Sequence, residues 1–194
     1  YANLCRLVSA AHMDRPDQDG PHVEFAALEE ANEGLIALTA GGEGGVARLL
    51  AGGQASAARL LIERLSATFP ERLFIELSRR GDAVETAAEG ALIALADALG
   101  LPLVATNPAS YADADFHAAH DALLCIANSA YVESTDRPRS SADAWMKPVS
   151  AMETLFADLP DALDNSLVVA QRCAVAAPAR KPILPSLAGD PAAE

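Results

Sequence analysis

The chain is short of the residues that would point to several common protein classes. It has only three cysteines, Cys5, Cys125 and Cys173, and no two are close in sequence. An odd number at such spacings suits neither a disulfide framework nor a zinc knuckle, and it fits a reducing cytoplasm. Cys125 sits in the apolar run Leu123-Leu124-Cys125-Ile126, where a thiol packs as a small hydrophobe. No apolar run approaches the ~20 residues that a membrane helix needs. The opening stretch, Tyr1 to Arg6, lacks the basic-then-apolar order of a secretory signal, and with no initial Met a fragment is expected. Cations are also scarce: 14 Lys and Arg face 27 Asp and Glu, for a formal net charge of −13. Gripping a phosphate backbone takes clustered Lys and Arg, and here they are scattered, so duplex DNA is not expected on this surface.

What is present is a globular composition. Hydrophobic residues make up 51% of the chain and charged residues 21%, and 194 residues suffice for one domain with a real core or one domain and the start of another. Asn3 to Ala11 reads as a helix with Leu4, Leu7 and Val8 on one face. Asp14 to Pro21 reads as a polar loop, and Val23 to Asn32 as a second helix. An alternation then begins. Gly34 to Thr39 is a compact apolar strand, followed by the glycine loop Gly41 to Gly45 and a helix from Val46 to Ala51. Gln54 to Thr68 is helical with the stripe Ala58, Leu61, Ile62, Leu65 and Phe69. Leu73 to Leu77 is the next strand. Asp82 and Glu85 have the spacing of a capping box for a helix bearing Val84, Ala88, Leu92, Leu95 and Leu99, with Gly100 at its end. Leu101 to Thr106 is a third strand.

Short apolar strands alternating with amphipathic helices predict a parallel sheet with helices outside it. From about Tyr111 the pattern changes. Asp115 to Asn128 reads as a helix, Ser134 to Ser141 as a polar loop, and Ser150 to Glu153 as another capping-box pattern. Leu163 to Ala174 reads as a last helix with the stripe Leu163, Leu167, Ala170 and Val175, before a tail rich in Ala and Pro. The chain thus divides into an α/β part at 1–112, a helical part at 113–176 and a linker at 177–194.

Few residues could carry chemistry. The loop Gly41 to Gly45, between a strand and a helix, could cradle a phosphate or form a plain tight turn; it lacks the Gly-Lys-Ser/Thr ending of a P-loop. His117 and His120 are three apart, so a helix places both on one face. They could share a metal, given further ligands, or serve as surface or capping residues. His12 and His22 have no spacing that ties them in. Glu76, on the second strand, could face a site at the strand ends or pair with Arg79 or Arg80. Asn107, closing the third strand, could hold a ligand or a loop. No Ser-His-Asp arrangement is evident. An unrelated small-molecule enzyme of the α/β class would have to use the glycine loop.

The order of several segments resembles a known family. Asn3-Leu4-Cys5-Arg6-Leu7-Val8-Ser9-Ala10-Ala11, Glu33-Gly34-Leu35-Ile36-Ala37-Leu38-Thr39 and Phe69-Pro70-Glu71-Arg72-Leu73-Phe74-Ile75-Glu76-Leu77 are similar to successive motifs of the bacterial DNA polymerase III alpha subunits. So are Leu99-Gly100-Leu101-Pro102-Leu103-Val104-Ala105-Thr106-Asn107, Ala119-His120-Asp121-Ala122-Leu123-Leu124-Cys125-Ile126 and the run from Leu155 to Ser166, with Cys173-Ala174-Val175 and Pro182-Ile183-Leu184-Pro185 completing the match. The resemblance implies the C-terminal part of a PHP-type distorted β/α barrel, 1–112, then helices leading to the polymerase palm. The parent would be a cytoplasmic nucleotidyltransferase of DNA replication. Its Mg-bound palm, DNA and clamp contacts would lie in other parts of its chain, with no membrane association. In the family the PHP domain either holds a metal cluster or docks a proofreading exonuclease. Three of the family's metal-ligand positions fall on Gly41, Pro108 and Ser110, which cannot replace thiolate, carboxylate and imidazole. The resemblance therefore implies a segment with no catalytic residues, metal or cofactor of its own, a scaffold for the exonuclease and the rest of the polymerase chain. The alternative is a metal-dependent phosphoesterase or 3′–5′ exonuclease with substituted ligands drawn from Glu76, His117 and His120.

Overall fold

A computed structural model describes residues 1–13 and 20–179 of the chain. Most of the polar loop expected at 14–21 and of the linker expected at 177–194 lies outside the described residues. Helices α1 (Ala2–Met13) and α2 (Phe25–Glu30) precede a parallel sheet of three short strands, β1 (Ala37–Leu38), β2 (Leu73–Leu77) and β3 (Leu103–Ala105). The strand order is β1-β2-β3, with Ala37 opposite Leu73 and Ile75 opposite Leu103. Helices α3 (Gly45–Ala51) and α4 (Ala55–Thr68) connect β1 to β2, and α5 (Ala83–Leu99) connects β2 to β3. Helices α6 (His117–Ala127), α7 (Val149–Leu155) and α8 (Pro160–Arg172) follow. A small parallel sheet with covering helices is the α/β class expected; the described residues form an open three-stranded sheet.

The central strand explains the sheet. Leu73, Phe74, Ile75 and Leu77 are all buried, the continuous apolar run of a parallel strand covered on both faces. β1 is shorter than the expected Gly34 to Thr39. Gly34 (φ +74°) lies in the turn that Leu35 N–H closes onto the Asn32 carbonyl, and Ala40 (φ +62°) turns the chain away after Thr39. Two left-handed residues thus leave only Ala37 and Leu38 to pair. Arg72 fastens the start of β2 to the preceding turn through the Asn32 carbonyl (2.6 Å) and the Leu35 carbonyl (2.9 Å). On α1 the expected three-residue face is reduced to one buried side chain, Leu7, with Leu4 and Val8 exposed.

Helices α4 and α5 match their sequence patterns. Ala58, Ile62 and Phe69 are buried on the first, and Ala88, Leu92 and Leu95 on the second. Asp82 caps α5 by accepting from Glu85 N–H (2.8 Å), and Gly100 (φ +63°) ends it in the left-handed conformation that glycine tolerates. The second half of the expected capping box is not made. The Glu85 side chain turns inward and accepts from the end of β2 instead.

The C-terminal helices correct two expectations. Pro148, not Ser150, stands at the N-cap of α7; Ser150 lies within the helix, where its carbonyl accepts from the Thr154 hydroxyl (2.9 Å). Of the expected stripe, Leu163 packs against the core, but Leu167 and Ala170 on α8 and Val175 beyond its end are exposed. Ala162, Asn165 and Val169 also face inward, and Asn165 donates to the Leu103 carbonyl (2.8 Å). A polar residue faces inward because β3 is an edge strand whose carbonyls need donors. Phe156, fully buried, and Ala162 join the same core as Ile62, Ile75 and Leu92, so the hydrophobic core is continuous across residue 112.

Arg79 fixes this junction. It is left-handed (φ +48°), and its guanidinium donates to Asp158 (2.5 and 2.7 Å), Glu89 (2.7 Å) and the Leu155 carbonyl (2.7 Å), 4.8 Å from the Phe156 ring centre. The hydrogen bonds from Arg79 hold the Asp158 carboxyl down to about 2. A folded-state value below the unfolded one stabilises the fold at pH above the ordinary carboxylate range, and that contribution disappears as pH falls through the folded value. Denaturation midpoints of the chain and of Asp158→Asn are therefore expected to differ by a constant amount from pH 7 to about pH 5 and to converge between about pH 4 and pH 2. A gap independent of pH would exclude the ion pair as its origin.

Candidate functional site

Ligand sites on parallel α/β sheets form beyond the carboxyl ends of the strands. Three segments meet there: Thr39 to Gly45 after β1, Ser78 to Asp82 after β2, and Thr106 to Tyr111 after β3. Glu76 ties the three ends together. Its carboxylate accepts from Ala40 N–H (2.9 Å) after β1 and from the Thr106 hydroxyl (2.6 Å) after β3, while its own N–H donates to the Thr39 hydroxyl (2.9 Å). Glu76 pairs with neither Arg79 nor Arg80. Arg79 is committed to Glu89 and Asp158, and Arg80 to Glu43.

Glu85 is the deeper group, only 1% exposed. Its carboxylate accepts from Ser78 N–H, from the Ser78 hydroxyl (2.7 Å) and from Arg79 N–H (3.1 Å). Those donors lie just past the pairing of β2, and β3 does not reach them. A buried charge is tolerable when its lone pairs are filled in this way. Nothing in the sequence separates this role from a capping box, because both put Glu at the third helical position.

The glycine loop is a tight turn. Gly41–Glu43 form a single 3-10 turn in which Glu43 N–H donates to the Ala40 carbonyl and Gly44 N–H to the Gly41 carbonyl. A Cβ on Gly42 would lie 2.1 Å from an Asp82 carboxylate oxygen, and one on Gly44 would lie 1.8 Å from the Thr39 carbonyl. The glycines let the turn press against the first turn of α5. Of the two readings open in the sequence, the geometry favours the turn over a phosphate cradle.

His117 and His120 do come together, on the inner face of α6. His117 Nε2 lies 3.2 Å from the Ser140 carbonyl and His120 Nδ1 lies 2.9 Å from the Ser140 hydroxyl. Their ring centres lie 5.9 and 5.2 Å from that of Tyr111. Tyr111 is buried, its hydroxyl donates to the Ser141 carbonyl (2.7 Å), and burial raises its pKa. The next residue, Asp121, receives both terminal nitrogens of Arg137 (2.5 and 2.6 Å), which holds its carboxyl below the usual range. These contacts bind the loop expected at Ser134 to Ser141 onto α6. Neither Tyr111 nor the Asp121–Arg137 pair was singled out from sequence. Arg137 lies in a loop whose composition predicts exposure. His12 and His22 lie elsewhere and are exposed.

Asn107 holds a loop. Oriented to satisfy both its groups, its amide accepts from Lys147 N–H (2.7 Å) and donates to the Trp145 carbonyl (3.2 Å). Asn107 lines a cleft of about 570 Å³ with Thr106, Lys147, Met152 and Leu163. A separate cleft of about 590 Å³ is lined by Arg80, Ser110, His120, Arg139 and Ser140, among others. Its cations have partners already: Arg80 pairs with Glu43 and Arg139 donates to the Ser134 carbonyl.

The donors needed by a metal cluster are missing from the positions where the family resemblance puts them. Gly41 and Pro108 have no donor side chain, and Ser110 is held through its N–H on the Ala144 carbonyl (2.7 Å). A Cβ on Gly41 would already lie 3.4 Å from Glu85 Oε1, so Glu85 and Ser78 fill the space a ligand there would use. Among the described residues no group of three His, Cys, Asp or Glu is placed to hold a metal ion. These residues do not fit a metal cluster.

Removing the Glu85 carboxylate leaves the buried Ser78 N–H and hydroxyl and the part-buried Arg79 N–H without that acceptor. Glu85→Ala is therefore expected to cost about 3 kcal/mol or more, measured by urea denaturation, whereas Glu43→Ala on the rim is expected within about 0.5 kcal/mol. A Glu85→Ala cost below about 1 kcal/mol would contradict the role assigned to it.

Comparison with known proteins agrees with the resemblance. The PHP domain model matches residues 1–80. The DNA polymerase III subunit alpha of Caulobacter vibrioides is 42% identical over 186 residues, covering 96% of this chain and 16% of that protein. That of Rickettsia bellii is 34% identical over 97% of the chain, and that of Escherichia coli K12 is 35% identical over 90%. The chain spans about 16% of the length of the first two of these and 15% of the third. Over nearly all its residues, then, the chain belongs to the DNA polymerase III alpha subunit family, as a segment carrying PHP-domain sequence.

Proposed function

We propose that the chain acts within the catalytic subunit of a replicative DNA polymerase as a PHP scaffold that performs no chemistry of its own and docks the proofreading exonuclease subunit. Template-directed nucleotidyl transfer, the Mg-dependent palm, and contacts with DNA and clamp belong to other parts of the parent chain. One observation carries the reading. The carboxylates at the strand ends, Glu76 and Glu85, are spent on backbone and hydroxyl donors of the fold itself, while Gly41, Pro108 and Ser110 occupy the family's ligand positions. A working metal site needs such carboxylates and imidazoles aimed at a common point.

The same observation weighs against a phosphoesterase with substituted ligands. Glu76, His117 and His120 would have to converge, and they form no metal-holding group among the described residues. The charge of −13 suits a protein partner better than a phosphate backbone. No helix of the described residues is long and apolar enough to cross a membrane, and the cytoplasm is the compartment proposed for the parent.

The test compares the affinity of the purified exonuclease subunit for the full-length polymerase subunit and for the same subunit lacking this segment. The scaffold reading expects binding to fall by at least about 100-fold, close to 3 kcal/mol. Unchanged binding would refute it.

A further inference from the structure

We draw no further inference here: the strongest candidate, the apolar groove of about 570 Å³ where the end of β3 meets α7 and α8, with Met152, Leu163 and Leu167 along it and the exposed Glu153 and Asp164 at its rim, carries none, because nothing in the structure shows what covers it.

Discussion

A carboxylate almost out of reach of water holds the end of the central strand in place. Glu85 accepts from two successive backbone N–H groups and a hydroxyl just after β2, at the point where pairing with β3 runs out. Without it those donors, buried or part-buried, would lose that acceptor, a larger cost than the modest net gain of an ordinary hydrogen bond. The consequence spreads outward. Because Ser78 and Arg79 are pinned, Arg79 adopts its left-handed conformation and aims its guanidinium at Asp158 and the Leu155 carbonyl. That contact seats Phe156 in the core and sets where α8 begins. Arg79 thus adds to the other joints between the sheet and the C-terminal helices, Asn165 on the Leu103 carbonyl and the shared core.

The same interaction bears on chemistry. The end of a parallel sheet is where an α/β enzyme would gather charged side chains for catalysis. Here those side chains serve the fold: Glu76 bonds three strand ends to one another, and Glu85 closes the space next to Gly41. A metal centre would need the same oxygens free and turned outward. The scaffold reading and the stability of the strand ends are thus one argument, since a carboxylate fully engaged by backbone donors is neither a strong ligand nor a free base.

Much of the fold was legible from sequence because it rests on local pattern. The apolar run at β2, the stripe of α4 and the Asp82 and Gly100 boundaries of α5 are signals that neighbouring residues carry together. What stayed hidden depends on groups distant in sequence. Asn165 lies outside the apolar stripe read on this helix, yet it faces inward to supply a donor to Leu103 of the edge strand, 62 positions away. That contact gives α8 a different phase from the one its apolar residues suggest. Ser150 fitted a capping box, but Pro148 occupies the cap. Of the site residues, Asn107 could be placed as a loop holder or ligand holder by its position alone, and His117 with His120 by their spacing. The partner of Glu76 could not, because Arg79 and Arg80 stood nearer in sequence than Ala40 or Thr106.

The central proposal is that the strand-end face, closed by the protein's own hydrogen bonds, binds no metal. Elemental analysis of the full-length polymerase subunit, purified without chelators, tests this most directly. The account predicts no stoichiometric zinc, manganese or iron. One or more such ions per chain, lost together with Glu76→Ala, His117→Ala or His120→Ala, would contradict it.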